Sequence, residues 1–148
     1  MAETELQIYI QSTAGSNLRL QVDEQTLQLK KTLALPATHP WPYGFVLNTK
    51  GEDGDCLDCF LLSYRPFQAG QTVSGRLIGM LELWENEQAD HKLLAGLPGE
   101  TINLNAYERD VLVLFLESVF AVYQDIHIQI GRILPAQDAV AYITQHKF

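Results

Sequence analysis

Between Gly51 and Cys59 the chain reads GEDGDCLDC, with Asp53, Asp55 and Asp58 at the spacing D-x-D-x-x-D and Glu52 beside them. Carboxylates so close repel one another unless a cation settles among them. Hard divalent cations prefer carboxylate oxygen, and Mg²⁺ in particular is held by one or two carboxylates together with waters and substrate phosphate. An EF-hand does not fit, because the sixth position counted from Asp53 is Asp58 rather than glycine and the twelfth is Tyr64 rather than glutamate. On these residues alone a solvated acidic turn is an equal reading, since Asp-Gly is common in hairpins.

Cys56 and Cys59, the only two cysteines, form one C-x-x-C with no second pair or histidine pair at finger spacing. Zinc or thiol chemistry is the minor reading. The neighbouring aspartates would raise a thiol pKa, and the thiolate is the reactive form.

The rest of the chain must position these groups. Leu6 to Ile10 and Leu18 to Val22 alternate as strands, and Thr26 to Leu33 is a further candidate. Pro36, Pro40 and Pro42, with Trp41, Tyr43 and Gly44, predict an ordered aromatic loop. Phe60 to Ser63 is a short apolar run, Val73 to Trp84 a long strand bent at Gly75 and Gly79, and Asp90 to Ala95 its partner. From Asn105 the period changes: Leu112, Phe115, Leu116, Val119, Phe120 and Tyr123 fall at helical spacing behind an Asn105/Glu108 capping box. A strand from Ile126 to Ile133 and a helix opening at Pro135 complete an α+β, β-rich layout in which a small barrel carries packed C-terminal helices.

At 148 residues and 47% hydrophobic, the chain is expected to form a single domain over residues 1–148. Its net charge of −8 argues against non-specific binding to nucleic acid. The acidic N-terminus and the lack of any apolar run of about 20 residues predict a cytoplasmic protein with no membrane partner.

Read together, P-W-P-Y-G-F around Tyr43, E-D-G-D-C-L-D at the acidic turn, and Glu85 followed five residues later by D-H-K resemble the family I soluble inorganic pyrophosphatases. That family carries Y-G-F/Y, D-G-D-P-x-D and D-x-x-x-x-D-x-K in this order and at these separations. The resemblance implies an OB-like five-stranded β-barrel and hydrolysis of pyrophosphate to two phosphates with several Mg²⁺ ions, Mn²⁺ being an alternative metal. It also implies a homo-oligomer, a hexamer in many bacterial members. By position Asp53, Asp58 and Asp90 match metal-binding aspartates, and Asp55 matches the aspartate that orients and deprotonates the attacking water. Tyr43, Lys92 and Tyr123 match phosphate-binding residues, Arg19 falls near a family lysine and Lys31 on a family arginine. In a strand Asp90 and Lys92 share a face, which leaves His91 a structural residue pointing away.

The departures cluster in the outer part of the site. Glu85 stands where the family has aspartate, Gln21 where it has glutamate, Gln124 where it has lysine and Cys56 where it has proline; no glutamate lies between Ile8 and Gln11. An active diphosphatase and a catalytically impaired relative that binds metal and phosphate as an interaction module both accommodate these changes. Trp84, Phe115, Phe120 and Tyr142 read as packing residues, and His39, His127 and His146 have no partner that the sequence identifies.

Overall fold

The computed structural model describes residues 4–147. In β1 (Glu5–Ser12), Leu6, Ile8 and Ile10 alternate inward. This strand pairs antiparallel with β4 (Tyr43–Val46) on one side and β6 (Thr72–Glu85) on the other. β4 continues antiparallel to β5 (Asp58–Leu61), β5 runs parallel to β8 (Lys92–Gly96), and β8 returns antiparallel to β6. The β1–β6 pairing therefore closes a five-stranded mixed barrel, which leaves no open edge among these strands.

β6 runs for 14 residues, and its far half pairs with β7 (Gln88–Ala89) and β9 (Ile128–Pro135). β2 (Leu18–Val22) and β3 (Leu29–Ala34) form a separate two-stranded sheet. The helices come late, α1 at Ala106–Phe120 and α2 at Ala136–Gln145.

Of the three apolar clusters among the described residues, two are large and involve the helices. One draws Ile8, Ile10, Val46, Cys59, Leu61, Leu77 and Leu93 from all five barrel strands and is joined by Ala139 and Ile143 of α2. The other sets Phe60, Leu62, Leu81 and Leu94 against Leu112, Phe115, Leu116 and Val119 of α1. β5 shows the pleat at work: Cys59 and Leu61 enter the first cluster and Phe60 the second, so both faces are apolar.

The expected capping box is present, with the Tyr107 amide donating to Asn105 and the Asn105 amide donating to Glu108. Three expectations are corrected. Tyr43 and Gly44 belong to a fully buried strand rather than a loop, because β1 and β5 supply backbone partners on both sides. A side chain at Gly44 would overlap the Tyr9 carbonyl, so only glycine permits this close pairing. α1 stops at Phe120, which leaves Tyr123 beyond the helix and 47% exposed. Asp90 and His91 lie between β7 and β8 instead of opening the strand. Among the described residues no helix is long and apolar enough to cross a membrane.

Candidate active site

The acidic turn is built by local hydrogen bonds. Gly54 takes a φ of +88°, a left-handed conformation open to glycine at little cost. The Asp53 carboxylate accepts from the Asp55 amide at 2.9 Å, and the Gly51 amide donates to the Asp55 carbonyl at 2.7 Å. The Leu57 amide donates to Thr49 Oγ1 at 3.0 Å, tying the turn to the end of β4. The chain then enters β5 at Asp58, directly beside β8, which opens with Lys92.

That parallel pairing sets the central contact. Lys92 is 4% exposed, and its Nζ donates to Asp58 at 2.6 Å and to Asp90 at 3.0 Å. Burial opposes the charge on Lys92, but Asp58, Tyr43 and Asp90 outweigh it and hold the ammonium well above the ordinary lysine range. Asp90 is pushed up to about 6, mainly by burial and further by Asp58 and Asp53, although Lys92 pulls the other way. Asp55 is raised as well, by burial and by its neighbours Asp53 and Asp58. Tyr43 is driven upward by burial and by Asp58, so its hydroxyl keeps its proton.

These groups line one open cavity of about 670 Å³. Asp53, Asp55, Asp58, Asp90, Glu85, Arg19, Tyr43 and Lys92 all face it, so eight of the ten residues singled out in the sequence converge there. Two do not. Tyr123 lines a neighbouring cavity with Phe120 and Gln124, because the helix that was expected to carry it ends early. Lys31 is replaced by Lys30: a bulge between Gln21 and Val22 of β2 opposes one step there by two steps of β3. Such an extra residue re-aims the side chains around it.

Gln11, Gln21, Glu24 and Phe120 also line the cavity; Gln21 stood out in the sequence only as the replacement of a family glutamate and Phe120 only as a packing residue, while Gln11 and Glu24 carried no local signal. Glu24 reaches across from the β2–β3 turn, and its carboxylate accepts the Cys56 amide at 2.9 Å over a separation of 32 residues. Cys56 and Cys59 are free thiols. Burial and then Glu24 push Cys56 up to about 11, and burial followed by Asp58 raises the fully buried Cys59, so neither is a poised thiolate. His91 is a structural residue here, its Nδ1 accepting the Leu83 amide at 3.0 Å and its ring packed against Trp84 and Tyr142.

The donor set fits a hard divalent cation. The cavity's four expected ligands are carboxylates alone, with no thiol or imidazole among its lining residues, and Asp58 and Asp53 add to the burial that raises Asp90, so further positive charge there would relieve repulsion. Among the described residues no three carboxylate, histidine or thiol groups are gathered closely enough to cage an ion by themselves. The remaining ligand oxygens must come from water and substrate, as is usual for Mg²⁺.

The sequence pattern that describes inorganic pyrophosphatases matches residues 8–145. The inorganic pyrophosphatase of Helicobacter pylori is 37% identical over 107 residues, covering 70% of this chain and 61% of the relative. That of Streptomyces coelicolor is 36% identical over 92 residues, covering 61% and 56%. This chain thus spans about three fifths of the length of the curated relatives that it matches. Among solved structures, an inorganic pyrophosphatase from Coxiella burnetii superposes with a TM-score of 0.87 at 20% identity, covering 99% of this chain and 95% of the other. The Helicobacter pylori enzyme does so with a TM-score of 0.82 at 25% identity, covering 98% and 95%.

Proposed function

Because this chain belongs to the inorganic pyrophosphatase family, whose members generally depend on divalent metal, we propose that it hydrolyses pyrophosphate to two phosphates with Mg²⁺, Mn²⁺ serving as an alternative. The observation that carries this reading is the convergence of Asp53, Asp55, Asp58, Asp90 and Glu85 with Arg19, Lys30, Lys92 and Tyr43 on one cavity. Carboxylates share this cavity with cationic and hydroxyl donors, which is the chemistry needed to neutralise a phosphoanhydride.

In this reading Asp53, Asp58, Asp90 and Glu85 hold the metal. Bound there, the ion supplies acidity to a coordinated water and positive charge against the phosphate oxygens. Asp55 takes the proton from the attacking water. Its raised proton affinity, a consequence of burial beside Asp53 and Asp58, makes it a stronger base than a solvated aspartate. Arg19, Lys30 and Lys92 offer N–H donors to the phosphate oxygens as charge builds on the leaving group, and Tyr43 offers its retained hydroxyl proton. In-line displacement then needs mainly positioning, which the β4, β5 and β8 ends provide. Glu85 brings a side chain one methylene longer than aspartate, and Gln21 brings no charge.

The test is steady-state release of phosphate from pyrophosphate over a range of Mg²⁺ and Mn²⁺, beside Asp55→Asn. Turnover lost in the variant while metal binding survives supports the reading. A folded protein that binds metal but releases phosphate no faster than the variant would instead mark it as a binding module. We propose homo-oligomerisation too, for which the exposed apolar Tyr107, Leu114 and Val122 of the α1 region are suited; sedimentation tests it.

A further inference from the structure

We propose that His39 is a positioning residue for this cavity: a neutral imidazole, protonated on Nδ1, whose Nε2 accepts a hydrogen bond from Arg19 and holds that guanidinium over Tyr43. The inference rests on the pyrophosphate reading above and adds to it a residue outside the acidic constellation.

The two partners determine the tautomer. His39 Nδ1 lies 2.8 Å from the Ser16 carbonyl oxygen, a group that only accepts, so Nδ1 carries the hydrogen. Nε2 lies 3.1 Å from Arg19 Nη2, a group that only donates, so Nε2 presents its lone pair. An imidazolium would set a second N–H and a second positive charge against the guanidinium. The surroundings permit little else. His39 is 1% exposed, its ring lies 4.8 Å from Phe115 of α1 and 5.7 Å from Tyr43 of β4, and Arg19 of β2 is the charged group that meets it. Burial first, with Arg19 adding to it and the Ser16 bond opposing, pushes His39 down to about 4.

The backbone fixes the ring's place. The His39 amide donates to the Ser16 carbonyl at 2.9 Å, and the Gly15 amide donates to the His39 carbonyl at 2.8 Å. The consequence falls on Arg19, which projects from a two-stranded hairpin where a long side chain would otherwise sample many rotamers. Held by His39, its guanidinium stacks 4.2 Å above the Tyr43 ring on the cavity wall. Its buried Nε has no hydrogen-bond partner among the described residues. A preorganised guanidinium loses less freedom when it grips a phosphate, and this should appear in substrate binding.

The experiment compares His39→Asn with His39→Gln. Asparagine reproduces the donor to Ser16 but places nothing at Nε2; glutamine carries its amide out to the Nε2 position, with the oxygen toward Arg19, but has no donor where Nδ1 meets Ser16. For His39→Asn the expected result is a KM for pyrophosphate raised about tenfold, with kcat within about threefold of wild type. Glutamine should recover most of the KM at a similar loss of thermal stability, and Arg19→Ala should cancel the difference between the two. Equal KM values for the two variants would leave His39 a packing residue and overturn the proposal. A ¹⁵N spectrum of the wild-type protein at pH 7 showing Nε2 protonated would overturn it as well, whether or not either variant folds. If wild-type protein releases no phosphate, the pyrophosphatase reading fails by itself. Calorimetric binding of inorganic phosphate to the same variants then decides the role of His39.

Discussion

Replacing Lys92 with methionine keeps most of the side-chain volume and removes the one cation that lies 2.6 Å from Asp58 and 3.0 Å from Asp90. Taking one partner from a buried charge pair costs about 3–5 kcal/mol, because the other is left uncompensated. Here the Asp58 and Asp90 side chains keep 24% and 20% of their exposure, so water screens part of the penalty and the lower end, about 3 kcal/mol, is expected. For a chain of this length that corresponds to a fall of about 6–12 °C in Tm, and with a urea slope of about 2 kcal/mol/M to a midpoint about 1.5 M lower. Two conditions separate this mechanism from lost packing. The deficit should shrink from pH 7.5 to pH 5, since Asp90 is already pushed up to about 6 and would rise further without Lys92, so that it takes up a proton and stops being an unpaired charge. Mg²⁺ should stabilise Lys92→Met more than wild type, recovering about 2.7 kcal/mol at a hundredfold excess over its Kd. A loss under about 0.5 kcal/mol at pH 7.5, or one that ignores both pH and Mg²⁺, would refute the reasoning.

Other expectations follow from the same geometry. His39 has a folded pKa of about 4 against an ordinary 6.5, so falling pH protonates the unfolded chain first; its contribution is present above pH 6.5 and is lost between 6.5 and 4, about 2 kcal/mol by pH 5. His39→Gln should flatten that part of the urea-derived stability profile, and an unchanged acid slope would count against it. Gly44→Ala forces a methyl into the Tyr9 carbonyl and should cost more than about 3 kcal/mol, read as loss of soluble folded protein. Lys30→Ala should raise the KM for pyrophosphate about threefold, a modest effect for a solvated cation, whereas Lys31→Ala should leave it unchanged. Glu24→Ala should speed amide hydrogen exchange at Cys56 about tenfold, because that amide loses its carboxylate acceptor.

Elements whose signal lies within a few residues were legible in the chain. Alternation predicted β1 and β2, the Asn105/Glu108 pair predicted the start of α1, and Pro135 marked the start of α2. β4 was not legible, since Pro-Tyr-Gly-Phe has the composition of a turn and becomes a strand only because β1 and β5 satisfy its backbone. The end of α1 was missed for a related reason: apolar spacing continues to Tyr123, but the backbone turns after Phe120.

The chain alone shows which residue types are available: Asp53, Asp55 and Asp58 offer carboxylate oxygen suited to a hard cation, a solvated acidic turn being an equal reading, and the resemblance to the pyrophosphatases joins Asp90 and Lys92 to them. Tertiary structure decided which groups meet. The parallel pairing of β5 with β8 brings Lys92 to Asp58 across 34 residues, the β2 and β3 register selects Lys30 over Lys31, and the hairpin delivers Glu24 to the Cys56 amide and Arg19 to His39. The physical reason is that spacing along a chain specifies turns and the faces of single elements. Contacts between elements depend on register, bulges and where a helix ends, and a shift of one residue there exchanges the side chain that faces the site for its neighbour.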